Sequence, residues 1–122
     1  MGLALSLLVA AALFQSGGLV VKADTSIGNV PVGTGPSAVA VNPITNKIYV
    51  ANSGSATVTV INGVDNSTST IAVGTNPAGI AVNPTTNKIY VTNRGIGTVT
   101  VIDGADNSTV TASAGLSPRI IF

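Results

Sequence analysis

The sequence predicts an all-β chain of repeated four-stranded antiparallel sheets, and three observations carry that expectation. The first is composition. The chain is 45% hydrophobic but only 7% charged, and it is rich in Val, Thr, Ile, Gly and Asn. That is the make-up of strands and tight turns, the opposite of a disordered chain. The second is repetition. Residues 32–72 and 73–113 align without a gap, and 27 of 41 positions are identical. The third is punctuation. Within each unit, short β-branched runs alternate with Asn-, Gly- and Pro-rich spacers.

The elements follow in chain order. Residues 1–23 are set apart by the apolar run "LALSLLVAAALF", followed by "QSGG" and "LVVKA". The run is short for a bilayer span. Small residues at Val21 and Ala23 suit cleavage after Ala23, so the segment reads as a signal peptide. No Lys or Arg precedes the run, which leaves an uncleaved apolar anchor or a helical segment as alternatives. Residues 24–122 form the remaining domain. Its first part, "TSIGNVPV" at 25–32, matches in register the fourth strand of a repeat.

The two full units are expected as sheets over 36–72 and 77–113, with the start of another at 114–122. In the second unit the strands are "AGIAV" (78–82), "KIYVT" (88–92), "TVTVI" (98–102) and "STVTAS" (108–113). No apolar face recurs at three-to-four spacing, so helices are not expected there. In "TVTVI" neither face carries a charge. Strands covered on both faces need that, whereas a solvent-facing sheet would show a charge at alternate positions. Four antiparallel strands in about 40 residues is the pattern of a β-propeller blade.

"KIYVTN" followed by "TVTVIDG", with "VG-x-x-P" and "AVNP", resembles the YVTN family of β-propeller repeats. The likeness runs from residue 24 to 118. The first unit departs from it with "YVAN" and "VING". The resemblance implies a secreted or cell-surface propeller of seven blades, the first strand of each repeat lining the channel and the fourth lying outermost. A propeller takes at least four blades, about 164 residues at this repeat length. The chain has 122. It is therefore expected to be an incomplete propeller, the N-terminal part of a longer one.

Chemistry-bearing residues are sparse. There is no Cys and no His, and all four acidic residues are Asp. That removes thiolate and imidazole metal ligands, the usual general base, and the Glu of a calcium loop. No catalytic residue, metal site or cofactor is predicted, and the chain is expected not to be an enzyme. Without Lys22, the cations Lys47, Lys88, Arg94 and Arg119 balance Asp24, Asp65, Asp103 and Asp106. No nucleic-acid partner is expected from such a balance, and no stable membrane span after the leader is removed.

Three residues stand out as binding candidates. Asn52 and Asn93 end the second strand of each unit. They either present amides to a ligand or hydrogen-bond their own turns. Arg94 replaces Ser53 of the first unit in the same loop, and could grip a carboxylate or phosphate. Lys47 and Lys88 read as strand-edge charges. "NGVDNS" and "DGADNS" read as Asx turns, and both carry glycosylation sequons, at Asn66 and Asn107.

The function expected is a non-catalytic exported module, periplasmic, extracellular or cell-surface, serving as a binding scaffold for a protein or small ligand. One alternative is part of an exported enzyme or redox propeller whose functional residues lie in further blades. Another is a sheet-rich assembly formed through exposed blade faces.

Overall fold

The computed structural model describes residues 3–4 and 28–114. The chain divides into two compact units, residues 1–32 and 33–122. In the first, a two-residue strand β1 (Leu3–Ala4) pairs antiparallel with β2 (Asn29–Val30). Of the expected outer strand at 25–32, Asn29–Val30 is a strand, and it pairs with Leu3–Ala4. Residues 1–2, 5–27 and 115–122, with most of the expected signal segment and of the expected further blade at 114–122, lie outside the described residues.

The second unit holds two four-stranded antiparallel meanders. The first blade is β3 (Pro36–Asn42), β4 (Lys47–Asn52), β5 (Thr57–Asn62) and β6 (Thr68–Ala72). The second is β7 (Pro77–Asn83), β8 (Lys88–Asn93), β9 (Thr98–Asp103) and β10 (Thr109–Ser113). No helix occurs among the described residues. The all-β, paired-sheet expectation holds. Both blades open on Pro36 or Pro77 as the first strand residue, where a missing N–H costs no ladder bond, and an irregularity follows in each.

The turns explain the Asn and Gly content. Asn46 and Asn87, Asn66 and Asn107, and Asn76 all adopt positive φ, a region that Asn tolerates better than most residues. Gly63 and Gly104 are required by close approach. A Cβ there would stand 2.7 Å from the Asn46 carbonyl oxygen, or 2.9 Å from that of Asn87. Each glycine donates its N–H to that same oxygen at 2.8 Å.

Register assigns every side chain to one of two faces. In the first blade Tyr49, Val58, Val60 and Ile71 share a face. Ile80, Val82, Ile89, Val91 and Ile102 share the opposite-handed face of the second blade. These two sets meet in the hydrophobic core. Polar bonds tie the same junction. Ser37 Oγ donates to the Pro77 carbonyl at 3.0 Å, and Asn42 Nδ2 donates to Asn87 Oδ1 at 3.1 Å. Asn42 is fully buried, while its repeat equivalent Asn83 is exposed.

The repeat also supplies an internal comparison. Tyr49, Val58 and Val60 are buried under the second blade. At the same positions one repeat later, Tyr90, Val99 and Val101 are only half-buried. Near-identical sheets differ in burial because a blade covers one of them.

Candidate functional site

The sequence candidates lie at one end of the blades, where the β4–β5 and β8–β9 turns meet the loops that precede β3 and β7. The backbone binds these loops together. Ser53 and Gly54 donate to the carbonyls of Gly35 and Thr34 at 2.9 and 3.0 Å. Arg94 and Gly95 donate to those of Asn76 and Thr75 at 3.0 and 3.1 Å. Loop geometry at this end is therefore built twice by the same main-chain bonds.

Asn52 and Asn93 are fully buried. Asn52 Nδ2 donates to Thr57 Oγ1 at 3.2 Å and Thr59 Oγ1 at 3.0 Å. Asn93 Nδ2 donates to Thr98 Oγ1 at 3.0 Å and Thr100 Oγ1 at 2.9 Å. Asn93 Oδ1 accepts from the Gly74 N–H at 3.2 Å. Both amide hydrogens of each Asn are thus committed to the threonines of the next strand, not to the turn backbone expected from sequence. The two residues are not brought together either. Both lie on the same face of their own blades, so the first sheet stands between them.

Arg94 is exposed, and its guanidinium makes no hydrogen bond or ion pair among the described residues. In the first blade the corresponding Ser53 turns back, its Oγ donating to the Gly35 carbonyl at 3.0 Å. Of the three candidates, Arg94 alone is presented at the surface. Replacing Asn93 with alanine is expected to cost about 2 kcal/mol, because the buried Thr100 hydroxyl and the part-buried Gly74 N–H and Thr98 hydroxyl lose their partner. Arg94→Ala should stay within about 0.5 kcal/mol of the parent. Urea unfolding midpoints of the two variants check this.

At the opposite end the Asp residues form Asx turns. Asp65 Oδ1 accepts from Ser67 N–H and Oγ at 3.0 and 2.7 Å, and Asp106 Oδ1 from Ser108 N–H and Oγ at 2.9 and 2.7 Å. These bonds hold both carboxyls below their ordinary value near 3.8. Asp103 is lowered first by the Ala105 N–H and then by Lys88, whose Nζ lies 2.9 Å from Oδ2. Among the described residues no three acidic, His or Cys side chains are grouped to hold a metal ion.

The direction of these shifts sets a pH dependence. A carboxyl that is more acidic in the folded chain binds protons more readily once unfolded. Its stabilisation is complete above the ordinary value near 3.8 and is lost as pH falls through the lower folded value. The thermal midpoint, followed by circular dichroism, should be flat above about pH 5 and fall below about pH 4. Asp65→Asn with Asp106→Asn should flatten that fall.

Sequence reasoning missed the Lys88–Asp103 pair and the part-buried Asn42–Asn87 bond. The first was signalled by "VIDG" against "VING", since hairpin register sets Lys88 opposite Asp103. The second had no local signal, because it joins residues 45 apart on different blades.

Comparison with known proteins supports the fold. The chain aligns with a solved structure of hydrazine synthase from Kuenenia stuttgartiensis at a TM-score of 0.66 and 22% identity, over 73% of this chain and 26% of that one. Apo AztD from Citrobacter koseri aligns at 0.62 and 21%, over 73% and 26%. The Cps50 (Swd1) beta-propeller domain of Myceliophteria thermophila aligns at 0.58 and 13%, over 70% and 28%. The two meanders are β-propeller blades, and the chain spans about a quarter of each of these structures. A 34-residue stretch is 56% identical to PE_PGRS18, a PE-PGRS family protein of Mycobacterium tuberculosis (strain ATCC 25618 / H37Rv), covering 28% of this chain and 7% of that protein. No protein-family profile matches the chain.

Proposed function

We propose that these blades are a non-catalytic, exported propeller module of the YVTN type, a binding or cell-surface scaffold within a longer propeller. The observation that carries this is the half-open face of the second blade. Its equivalent in the first blade is a socket filled by the next repeat, and Tyr90, Val99 and Val101 repeat that socket. Adjacent repeats bury one another's apolar faces, so a half-covered socket is built to receive one. The non-catalytic reading is supported by the absence of His, Cys and Glu from the sequence and by the structural use of Asn52 and Asn93. Export is supported by the apolar leader and the small residues up to Ala23. Self-association is a second reading favoured by the same open face.

Expression with the native leader in a bacterial host tests the reading. The expected product lies outside the cytoplasm and begins at Asp24. Retention in the cytoplasm with an intact N-terminus would overturn export. Reading the gene past codon 122 tests the remainder, with further copies of "IYVTN" expected.

A further inference from the structure

The end of the blades opposite to the sequence candidates holds a feature that the repeat itself makes conspicuous. In the second blade Lys88, at the head of β8, is neutralised by Asp103 at 2.9 Å. In the first blade the same register sets Lys47 opposite Asn62, an uncharged amide. This one difference between the repeats leaves Lys47 without the counter-charge that Lys88 has. Lys47 makes no hydrogen bond or ion pair among the described residues, although it is half-buried.

The released lysine lines a pocket of about 160 Å³. Asn62, Ser67, Thr68 and Ser69 line it from the first blade, and Asn107 closes it from the β9–β10 turn of the second. One water needs about 10–15 Å³, so the pocket has room for a small molecule. No carboxylate lines it. Asn62 Oδ1 is already committed to the Val64 N–H at 2.9 Å, leaving its amide hydrogens for the pocket. Asn107 Oδ1 is buried and has no hydrogen-bond partner among the described residues. The lining therefore supplies one cation, an amide donor and the Ser69 hydroxyl, while the Ser67 hydroxyl is committed to Asp65.

We propose that this pocket binds a small oxyanion, inorganic phosphate being the simplest. The anionic oxygens meet the Lys47 ammonium and the Asn62 amide, and charge-assisted hydrogen bonds of this kind are stronger than neutral ones. The Ser69 hydroxyl, on the same sheet face as Lys47, donates to a further ligand oxygen. A departure from an internal repeat, placed where two blades meet, is where a site is grafted onto a scaffold. This site stands apart from the open face of the second blade and does not depend on it.

Equilibrium dialysis of the intact chain against labelled phosphate, at ionic strength held constant with chloride, tests the proposal. One saturable site per chain is expected. Asn62→Asp recreates the ion pair of the second blade, so it should fold normally while weakening phosphate binding about tenfold or more. Lys47→Gln should do the same. Asp103→Asn frees Lys88 without a neighbouring blade's turn beside it, and should add no second site. The proposal fails if the parent shows no saturable binding at millimolar phosphate, or if Asn62→Asp or Lys47→Gln binds like the parent. It also fails if Asp103→Asn gains a second equivalent, because a free lysine would then suffice without the pocket.

Discussion

Replacing Tyr49 with alanine is expected to destabilise the chain by about 3–5 kcal/mol, the range for removing a buried aromatic side chain. Tyr49 is fully buried in the core between the two blades, beside Val58, Val60, Ile89 and Val91. Its loss removes apolar contact from both sheets at once. The same substitution at Tyr90 should cost less, because that ring is only partly covered. Tyr49→Phe separates packing from polarity. The Tyr49 hydroxyl is buried with no hydrogen-bond partner among the described residues, and burial pushes its pKa above the ordinary value of 10.0. Removing that hydroxyl should therefore be neutral or stabilising by about 1 kcal/mol. Urea unfolding of the three variants reads all of these, and equal losses for Tyr49→Ala and Tyr90→Ala would show that the two faces are covered alike.

The second large effect comes from one substitution made at two equivalent positions. Val60→Lys places an ammonium in the inter-blade core with no acidic partner, and should cost about 4 kcal/mol or more, enough to unfold a small domain. Val101→Lys puts the same group on the half-open face of the second blade. There it should change stability by about 1 kcal/mol or less, since a lysine stem lies along apolar surface while its head reaches water. It should also reduce association between chains, because an apolar patch is replaced by like charge. Circular dichroism reports the first variant and sedimentation velocity the second. If Val101→Lys unfolds the chain as Val60→Lys does, the face is not open and the socket assigned to it does not exist.

The two positions read identically in sequence. Val60 and Val101 both occupy the second valine of "TVTV". Periodicity of two, β-branched runs and Asn-Gly turns were enough to foresee strands in both units, because strand formation depends on local residue type and alternation. Strand ends moved by one residue, at Pro77, Asn83, Asn93, Asp103 and Thr109. Ladder pairing extends or trims a strand beyond what propensity marks. The binding candidates fared differently. Asn52 and Asn93 were visible as repeated strand-end residues, but their repetition came from a buried Asn–Thr network within each sheet. A network across a hairpin depends on which hydroxyl faces which amide, and that follows from register. Arg94 is a surface residue.

What the sequence determined by itself was the repeat, its four strands and its turns, since each is set by interactions between residues close in the chain. The Lys88–Asp103 pair belongs to that class, because a hairpin register implies it. Only the tertiary structure decided which copy of each position is buried, that Asn42 reaches Asn87, and that Lys47 and Asn107 line one pocket. Two copies of nearly the same sequence carry nearly the same local instructions. Burial and pocket formation depend instead on what packs against a face, and that is a property of the neighbouring sheet, not of the strand that bears the residue.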